Sequence, residues 1–473
     1  MVSIDVLPDD VLLEIFDFYV DEYQVLKKGV KAWHLLVHVC RRWRSVVFGS
    51  PRRLDLRLVG TNKTPVKDNL DIWPPLPLVI RNCAGLTEGV DNIIALLKHR
   101  DRVDDIELTH INSSSLEKVS AAMQEPFPEL TDLLLKSDDE TVPVLPDSFL
   151  GGSANSAPRL RYLVLDGIPF PGVPKLLLSA TNLVTLYLDN IPHSGYFSPQ
   201  SMATALSKLT GLKSLRLNFQ SPRSHPDQAR RRPPLSIRAV LPVLTRFWFK
   251  GVCEYLDDLV ALVDAPQLDH LDITFFNQIT FDTPQFIQFI GRTPMLRSLE
   301  TARIVFGRAD ARVNFSSRTS DYGSLNVGIS CRELDWQVSF LEQVCTSCLP
   351  RLSAGTSEDL YIYERPYWQS HWQDNIENAL WLELLHPFTA VKSLYLSGAC
   401  AERIGPALAG GTGTELLPNL QNIFLEDWVS GSGSSYRYVT SVTPKDIGKF
   451  VAARQVSSHP IAVSCWDRDK TMF

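Results

Sequence analysis

Few residues in this 473-residue chain combine type and spacing in a way that supports chemistry. Cys345 and Cys348 form a C-x-x-C pair within SFLEQVCTSC. Such a pair offers two thiolates to zinc, which needs two further ligands, and none lies nearby in the sequence. Phe340, Leu341 and Val344 put Cys345 on the apolar face of a short helix, so the pair reads as buried small hydrophobes. His34 and His38 stand one helical turn apart, but no third metal ligand is evident, and solvated helix positions are the default there. The glycine-rich AGGTGTE, residues 409–415, lacks the lysine of a phosphate-binding loop and reads as a connection between repeats. There is no G-x-S-x-G elbow, no G-x-x-x-x-G-K, no H-E-x-x-H and no dinucleotide glycine fingerprint after a strand. The expectation is a non-enzyme without metal or cofactor.

Composition narrows the class further. At 44% hydrophobic and 21% charged the chain is ordinary for a globular protein, and it is far too long for one compact core. A net charge of -6 gives no case for a nucleic-acid or membrane surface. No apolar run approaches the roughly 18 residues that span a bilayer. Met1 is followed closely by Asp5, Asp9 and Asp10, so a secretory signal is not expected. The eight scattered cysteines suit reduced thiols in the cytoplasm or nucleus better than a disulfide framework.

What must position any site is a repeat. The pattern L-x-x-L-x-L occurs at Leu130-Leu133-Leu135, Leu160-Leu163-Leu165, Leu183-Leu186-Leu188, Leu212-Leu215-Leu217 and Leu268-Leu271-Ile273. Looser copies are Val103-Ile106-Leu108, Leu244-Phe247-Phe249, Val391-Leu394-Leu396 and Leu420-Ile423-Leu425. From Leu130 onward the first positions are spaced about 23–32 residues apart, near the leucine-rich-repeat period of roughly 20–29. The alternation marks a short strand with one buried face. Helical segments precede the strands. SPQSMATALSKL has Ser198 to cap and Pro199 in the first turn, and Thr283-Pro284 and Thr443-Pro444 repeat that logic. Stacked units of this kind share one continuous core. The asparagine usual after the strand is replaced by Ile111, Ile168, Ile191 and Gln220, so uneven curvature is expected.

Between about 300 and 390 the pattern weakens. Strand-like pieces at Val313 and Phe315, at Leu325 to Ile329 and at Tyr361 to Tyr363 suggest one degenerate repeat there. HWQDNIENALWLELLHPF reads as a helix with Trp372, Ile376, Leu380 and Leu384 on one face. Residues 220–236, polar and proline-rich, read as an inserted exposed loop. Its Arg230, Arg231 and Arg232 are read as solvated, with an acidic partner as the alternative.

The N-terminal LPDDVLLEIFDFYV is a helix with more apolar surface than it can hide alone. Pro8, Asp9 and Asp10 suit its first turn. Leu7, Val11, Leu12, Ile15, Phe16 and Tyr19 recur along it. A polar loop over 20–32 follows, then AWHLLVHVCRRWRSVVF with an apolar stripe at Trp33, Leu36, Val37, Cys40, Trp43 and Val47. Each Leu, Ile or Phe left exposed forfeits roughly 1.5–3 kcal/mol, which argues for a permanent partner. Packing onto the first repeat is the alternative.

LPDDVLLEIF followed by VCRRWR, and then by SPRRLDLRL, resembles the F-box, the adaptor-binding motif of Skp–cullin–F-box ubiquitin ligases. The match covers about residues 5–58, and the downstream layout resembles fungal F-box proteins with leucine-rich-repeat-like C-terminal regions. The 20–32 connection is longer than the family's usual inter-helix connection. The resemblance implies an α/β architecture: a three-helix F-box over 1–60, then an irregular leucine-rich-repeat-like solenoid of short parallel strands and helices over 61–473. It also implies a Skp adaptor, and through it a cullin, docking at Leu7, Pro8, Val11, Leu12, Ile15, Phe16, Val39, Cys40 and Trp43. The repeats would then hold an unknown protein target for ubiquitination; an F-box scaffold without ubiquitin transfer is the other reading.

Residues between the buried strand positions should face outward: Glu107, Leu134, Val164, Tyr187, Arg216, Trp248, Asp272, Glu300, Tyr395 and Phe424. Tyr187, Arg216, Trp248, Asp272, Glu300, Tyr395 and Phe424 are the candidate target-binding set, since aromatics and arginine dominate interface energetics.

Overall fold

Alternating Leu, Ile and Phe residues need a cover, and helices of the same repeats supply it in a mixed α/β fold with a mostly parallel sheet. The computed structural model describes residues 7–26, 32–63, 70, 73–82, 89–152, 157–224, 238–278, 280–317, 323–365, 376–410, 416–426, 444–457 and 459–466. Among these no helix is long and apolar enough to cross a membrane. The chain forms two compact units, Met1–Phe197 and Ser198–Phe473.

The first unit opens with three helices, α1 (Asp9–Leu26), α2 (Ala32–Val37) and α3 (Arg41–Gly49). Helix α1 therefore continues to Leu26, through much of the segment expected to be loop. Leu54 and Leu56 bury themselves, and β1 (Leu58–Thr61) starts the sheet, so the expected boundary at residue 60 falls inside a strand. The strands β2 (Leu78–Arg81), β3 (Val103–Leu108), β4 (Asp132–Lys136), β5 (Tyr162–Asp166) and β6 (Thr185–Ile191) then follow. From β1 to β6 each strand lies parallel beside its predecessor. Helices α4 (Val90–Leu97), α5 (Ser113–Ala122) and α6 (Val173–Leu177) lie between strands in the chain. The repeat positions Leu133, Leu135, Leu163, Leu165, Leu186 and Leu188 are all buried. Ile111, Ile168 and Ile191 are buried as well, so an apolar series occupies the place an asparagine would hold.

The second unit contains α7 (Pro199–Leu206), β7 (Ser214–Phe219), β8 (Ala239–Val240), β9 (Arg246–Gly251), α8 (Cys253–Ala261), β10 (Val263–Asp264), β11 (His270–Phe276), α9 (Pro284–Arg292) and α10 (Pro294–Arg297). Next come β12 (Thr301–Phe306), β13 (Ala311–Ser316), β14 (Ser324–Ser330), α11 (Leu334–Cys348), β15 (Asp359–Glu364), α12 (Asn378–Leu385), β16 (Ser393–Leu396), α13 (Gly398–Gly410), β17 (Asn422–Glu426), α14 (Lys445–Val456) and β18 (Ala462–Trp466). Its main sheet runs β7-β9-β11-β14-β13-β12-β15-β16-β17-β18, while β8 and β10 pair separately.

The stretch after residue 300 is not a degenerate repeat. Strands β12, β13 and β14 form an antiparallel meander, and their order in the sheet is reversed. The cause is loop length. A parallel crossover needs a dozen or more residues, and only 307–310 and 317–323 join these strands. Helix α11 then makes the crossover that sets β15 beside β12.

Caps were legible only where they are local. Ser198 Oγ accepts from Ser201 N at 3.2 Å, with Pro199 in the first turn, as its sequence suggests. Thr283 makes no such cap. Instead Asp257 Oδ1, on the preceding helix, accepts from Gln285 N at 2.8 Å and Phe286 N at 2.9 Å. Thr443 and Trp372 lie outside the described residues, as do Arg230, Arg231, Arg232 and most of the proposed 220–236 loop. Helix α12 buries Trp381, Leu384 and Leu385, so its inner face is rotated from the expected one.

Burial pushes the Asp257 carboxyl above its ordinary range, so the charged form is the disfavoured one. Asp257→Ala should cost about 1–2 kcal/mol by removing a helix cap. Asp257→Asn, which keeps the acceptor without the charge, should unfold at the same or a higher urea midpoint than wild type.

Candidate functional site

The candidate residues fall on the N-terminal helices and on the outward faces of the strands. On α1, Leu12 and Phe16 are fully buried (0% exposed), whereas Val11 (41%), Ile15 (44%) and Phe18 (70%) form an outward stripe. The sequence grouped all of the first four as docking residues. The structure divides them: Leu12 and Phe16 are core, and any contact they support is made through their neighbours. Pro8 is exposed and Leu7 half-buried. Arg42 ties this end down by donating to the Leu7 carbonyl and bridging Asp9 at 2.7 Å.

Val39, just beyond α2, is 58% exposed, and Leu35 one turn earlier faces out too. Cys40 is a cap: its Sγ accepts from Trp43 N at 3.4 Å, starting α3. Trp43 is half-buried with its ring 4.7 Å from that of Phe16, which locks α3 against α1. His34 stacks on Trp73 at 4.7 Å, and Trp33 meets Trp73 edge-on at 5.3 Å. The His34 and His38 pair thus joins an aromatic cluster. No metal-holding group of His, Cys, Asp and Glu occurs among the described residues. Cys345 and Cys348 are buried, and burial pushes both thiols far above the ordinary thiol range.

On the sheets, strand register decides which outward residues meet. In the first unit Arg81, Glu107, Leu134, Val164 and Tyr187 form one row, although Val164, expected to be exposed, is buried. Tyr187 lies half-buried there, edge-on to Tyr162 at 6.1 Å. In the second unit one row crosses the whole sheet: Arg216, Trp248, Asp272, Asn326, Asn314, Arg303, Tyr361, Tyr395, Phe424 and Ser464.

Five of the seven expected target-binding residues therefore stand in that single row. Tyr187 belongs to the other unit, and Glu300 misses the row. Leu296 and Leu299 are buried around the short helix α10, so β12 begins only at Thr301 and its row position goes to Arg303. Glu300 is left exposed just before the strand.

The row has two characters. Arg216 lies over the Trp248 ring at 4.9 Å, and Trp248 is 5.8 Å from His270. Asp272 accepts from Asn326 Nδ2 at 3.3 Å. Burial raises its carboxyl above the ordinary range, against the pull of Arg312, His270 and Arg216. Further along, Tyr361 and Tyr395 stack at 4.3 Å, Tyr395 and Phe424 at 4.5 Å, all nearly parallel. Trp466 closes on Tyr395 edge-on at 5.5 Å, and Arg303 sits over the Tyr361 ring at 5.4 Å. Val305, Tyr363 and Trp466, in the next row of the same face, are buried against Tyr361, Tyr395 and Phe424.

Sequence reasoning missed Arg303, Asn314, Asn326, Tyr361 and Trp466. The alternation in DLYIYE was the available signal for Tyr361, whereas the meander residues reach the row only because the strand order reverses. Compared with protein-family models and with curated proteins, the chain matches none.

Burial, and then the neighbouring Tyr361, push the Tyr395 phenol up to about 12, against an ordinary value of about 10. A raised value means the fold favours the neutral phenol. This contribution is complete below about pH 10 and lost as pH rises through about 12. Ultraviolet titration should show a late-ionising tyrosine that Tyr395→Phe removes, and the variant should resist alkaline unfolding better in that window.

Proposed function

We infer that this chain is a non-catalytic receptor subunit, in which an N-terminal F-box docks a Skp adaptor and leucine-rich-repeat-like units hold a target protein for ubiquitination. The observation that carries the reading is the outward stripe Val11, Ile15 and Phe18, with Val39, on a helical bundle whose core is already closed by Leu12, Phe16, Trp33, Val37 and Val47. A bundle that has completed its interior gains nothing from apolar residues at one-turn spacing on its outside unless another surface covers them. The F-box resemblance names the kind of surface: a Skp adaptor, and beyond it a cullin.

Ordered repeats support the other half. Parallel strands with covered inner faces present a long outward face, and aromatic and arginine side chains on it have the composition of an interface centre. In such an assembly the receptor needs no catalytic group, because it raises the effective concentration of target lysines near a conjugating enzyme held elsewhere. Action in the cytoplasm or nucleus follows from that role.

The test is capture of a purified Skp adaptor by the full chain. Val11→Asp with Ile15→Asp should weaken capture by about a hundredfold, since charge placed in an apolar contact is costly, while circular dichroism stays unchanged. Phe16→Ala should instead lower stability by about 3–5 kcal/mol. Undiminished capture by the folded double variant would remove the docking assignment. Capture without ubiquitin transfer to any bound target in a reconstituted ligase would leave only the scaffold role.

A further inference from the structure

The strands β7, β9, β11, β14, β13 and β12 are adjacent in the second unit. Their charged residues are Arg216, Arg246, Lys250, Arg303 and Arg312, against the single carboxylate of Asp272. All of these stand on the outward face. Arg246 shares a row with His270, and Lys250 and Arg312 lie along the row that also holds Thr274 and Gly328. The chain as a whole has net charge -6, so the cationic face is a local feature. The first unit's strands show the contrast, with Asp105, Glu107, Asp132, Asp166 and Asp189 outnumbering Arg81 and Lys136 on their outward positions.

The cationic stretch passes directly into the aromatic one, through Arg303 over Tyr361. Among the described residues the ring stack ends at Phe424, whose row neighbour on β18 is the small, exposed Ser464. An apolar side chain from outside would continue the stack there, over Ser464. Adjacent strands lie about 4.8 Å apart, so the row from Arg303 to Ser464 measures about 19 Å, or about six residues of extended chain.

We propose that this face of the second unit binds an extended acidic protein segment, its carboxylates lying along Arg216, Arg303, Arg312 and Lys250 and an aromatic side chain, about six residues from the acidic run, stacking on Phe424. Charge complementarity selects the acidic segment, and the interrupted ring stack selects the aromatic residue. The proposal deepens the receptor reading and rests on it for its biological sense, but its measurement does not need the adaptor.

The probe is a fluorescein-labelled peptide of about thirteen residues, the length that spans the whole row at about 3.3 Å per residue. It carries a glutamate run at one end and a tryptophan about six residues on. By anisotropy the full chain should bind it at least about tenfold tighter than a version with lysine for glutamate, and more weakly as salt rises. An alanine-for-tryptophan version should lose about fivefold or more. Arg216→Glu with Arg312→Glu should abolish the preference for glutamate, and Phe424→Ala the dependence on tryptophan alone. If the arginine pair fails to fold by circular dichroism, Arg246→Glu with Lys250→Glu takes its place. Equal affinity for the glutamate and lysine peptides would overturn the proposal. So would no response to the folded charge-reversal variants, or single-stranded DNA displacing the peptide as readily as the peptide itself. Peptide binding kept while adaptor capture is absent would sink the receptor reading alone; adaptor capture without peptide binding would sink only this one.

Discussion

Most of these strands turn a row of Leu, Ile and Phe inward, and no single helix–strand unit can bury it. That constraint governs the rest. Leu133, Leu163 and Leu186 in one unit, and Leu215, Phe247 and Leu271 in the other, are covered only because neighbouring units stack in register beneath helices. Covering one face leaves the other facing outward. In the second unit the outcome is a single register row in which arginines, asparagines and aromatic rings meet although they are scattered over 249 positions, from Arg216 to Ser464.

The antiparallel meander of β12, β13 and β14 breaks the repeat logic, and it is central to the row. Loops too short for a crossover force hairpins, and the reversed order brings Arg303 beside Tyr361 and Asn326 beside Asp272. Cationic and aromatic stretches therefore adjoin. A regular repeat in this place would have separated them by further units.

At the N-terminus the same accounting gives a different answer. The bundle closes its interior with Leu12, Phe16, Trp33 and Val37, and Trp43 holds α3 to α1 through its contact with Phe16. What remains outside is apolar at Val11, Ile15, Phe18, Leu35 and Val39. The residues closing the small core and those left facing out therefore lie on different stripes of the same helices.

Much of the fold was legible without coordinates, since alternation and period depend on residues a few places apart. The buried repeat positions, the Ser198 cap, the interior cysteines and the outward placement of Arg216, Trp248, Asp272, Tyr395 and Phe424 are all local consequences of pleat and helix geometry. Tertiary structure alone decided the rest. Whether Phe16 or Ile15 turns inward depends on where α2 and α3 lie, because an apolar helix face does not say which of its stripes meets a neighbour. Asp257 caps a helix 27 residues away in place of Thr283, a long-range bond with no local signature. The loss of Glu300 from the row and the arrival of Arg303, Asn314 and Asn326 follow from strand order, which loop length and crossover geometry set across the whole sheet.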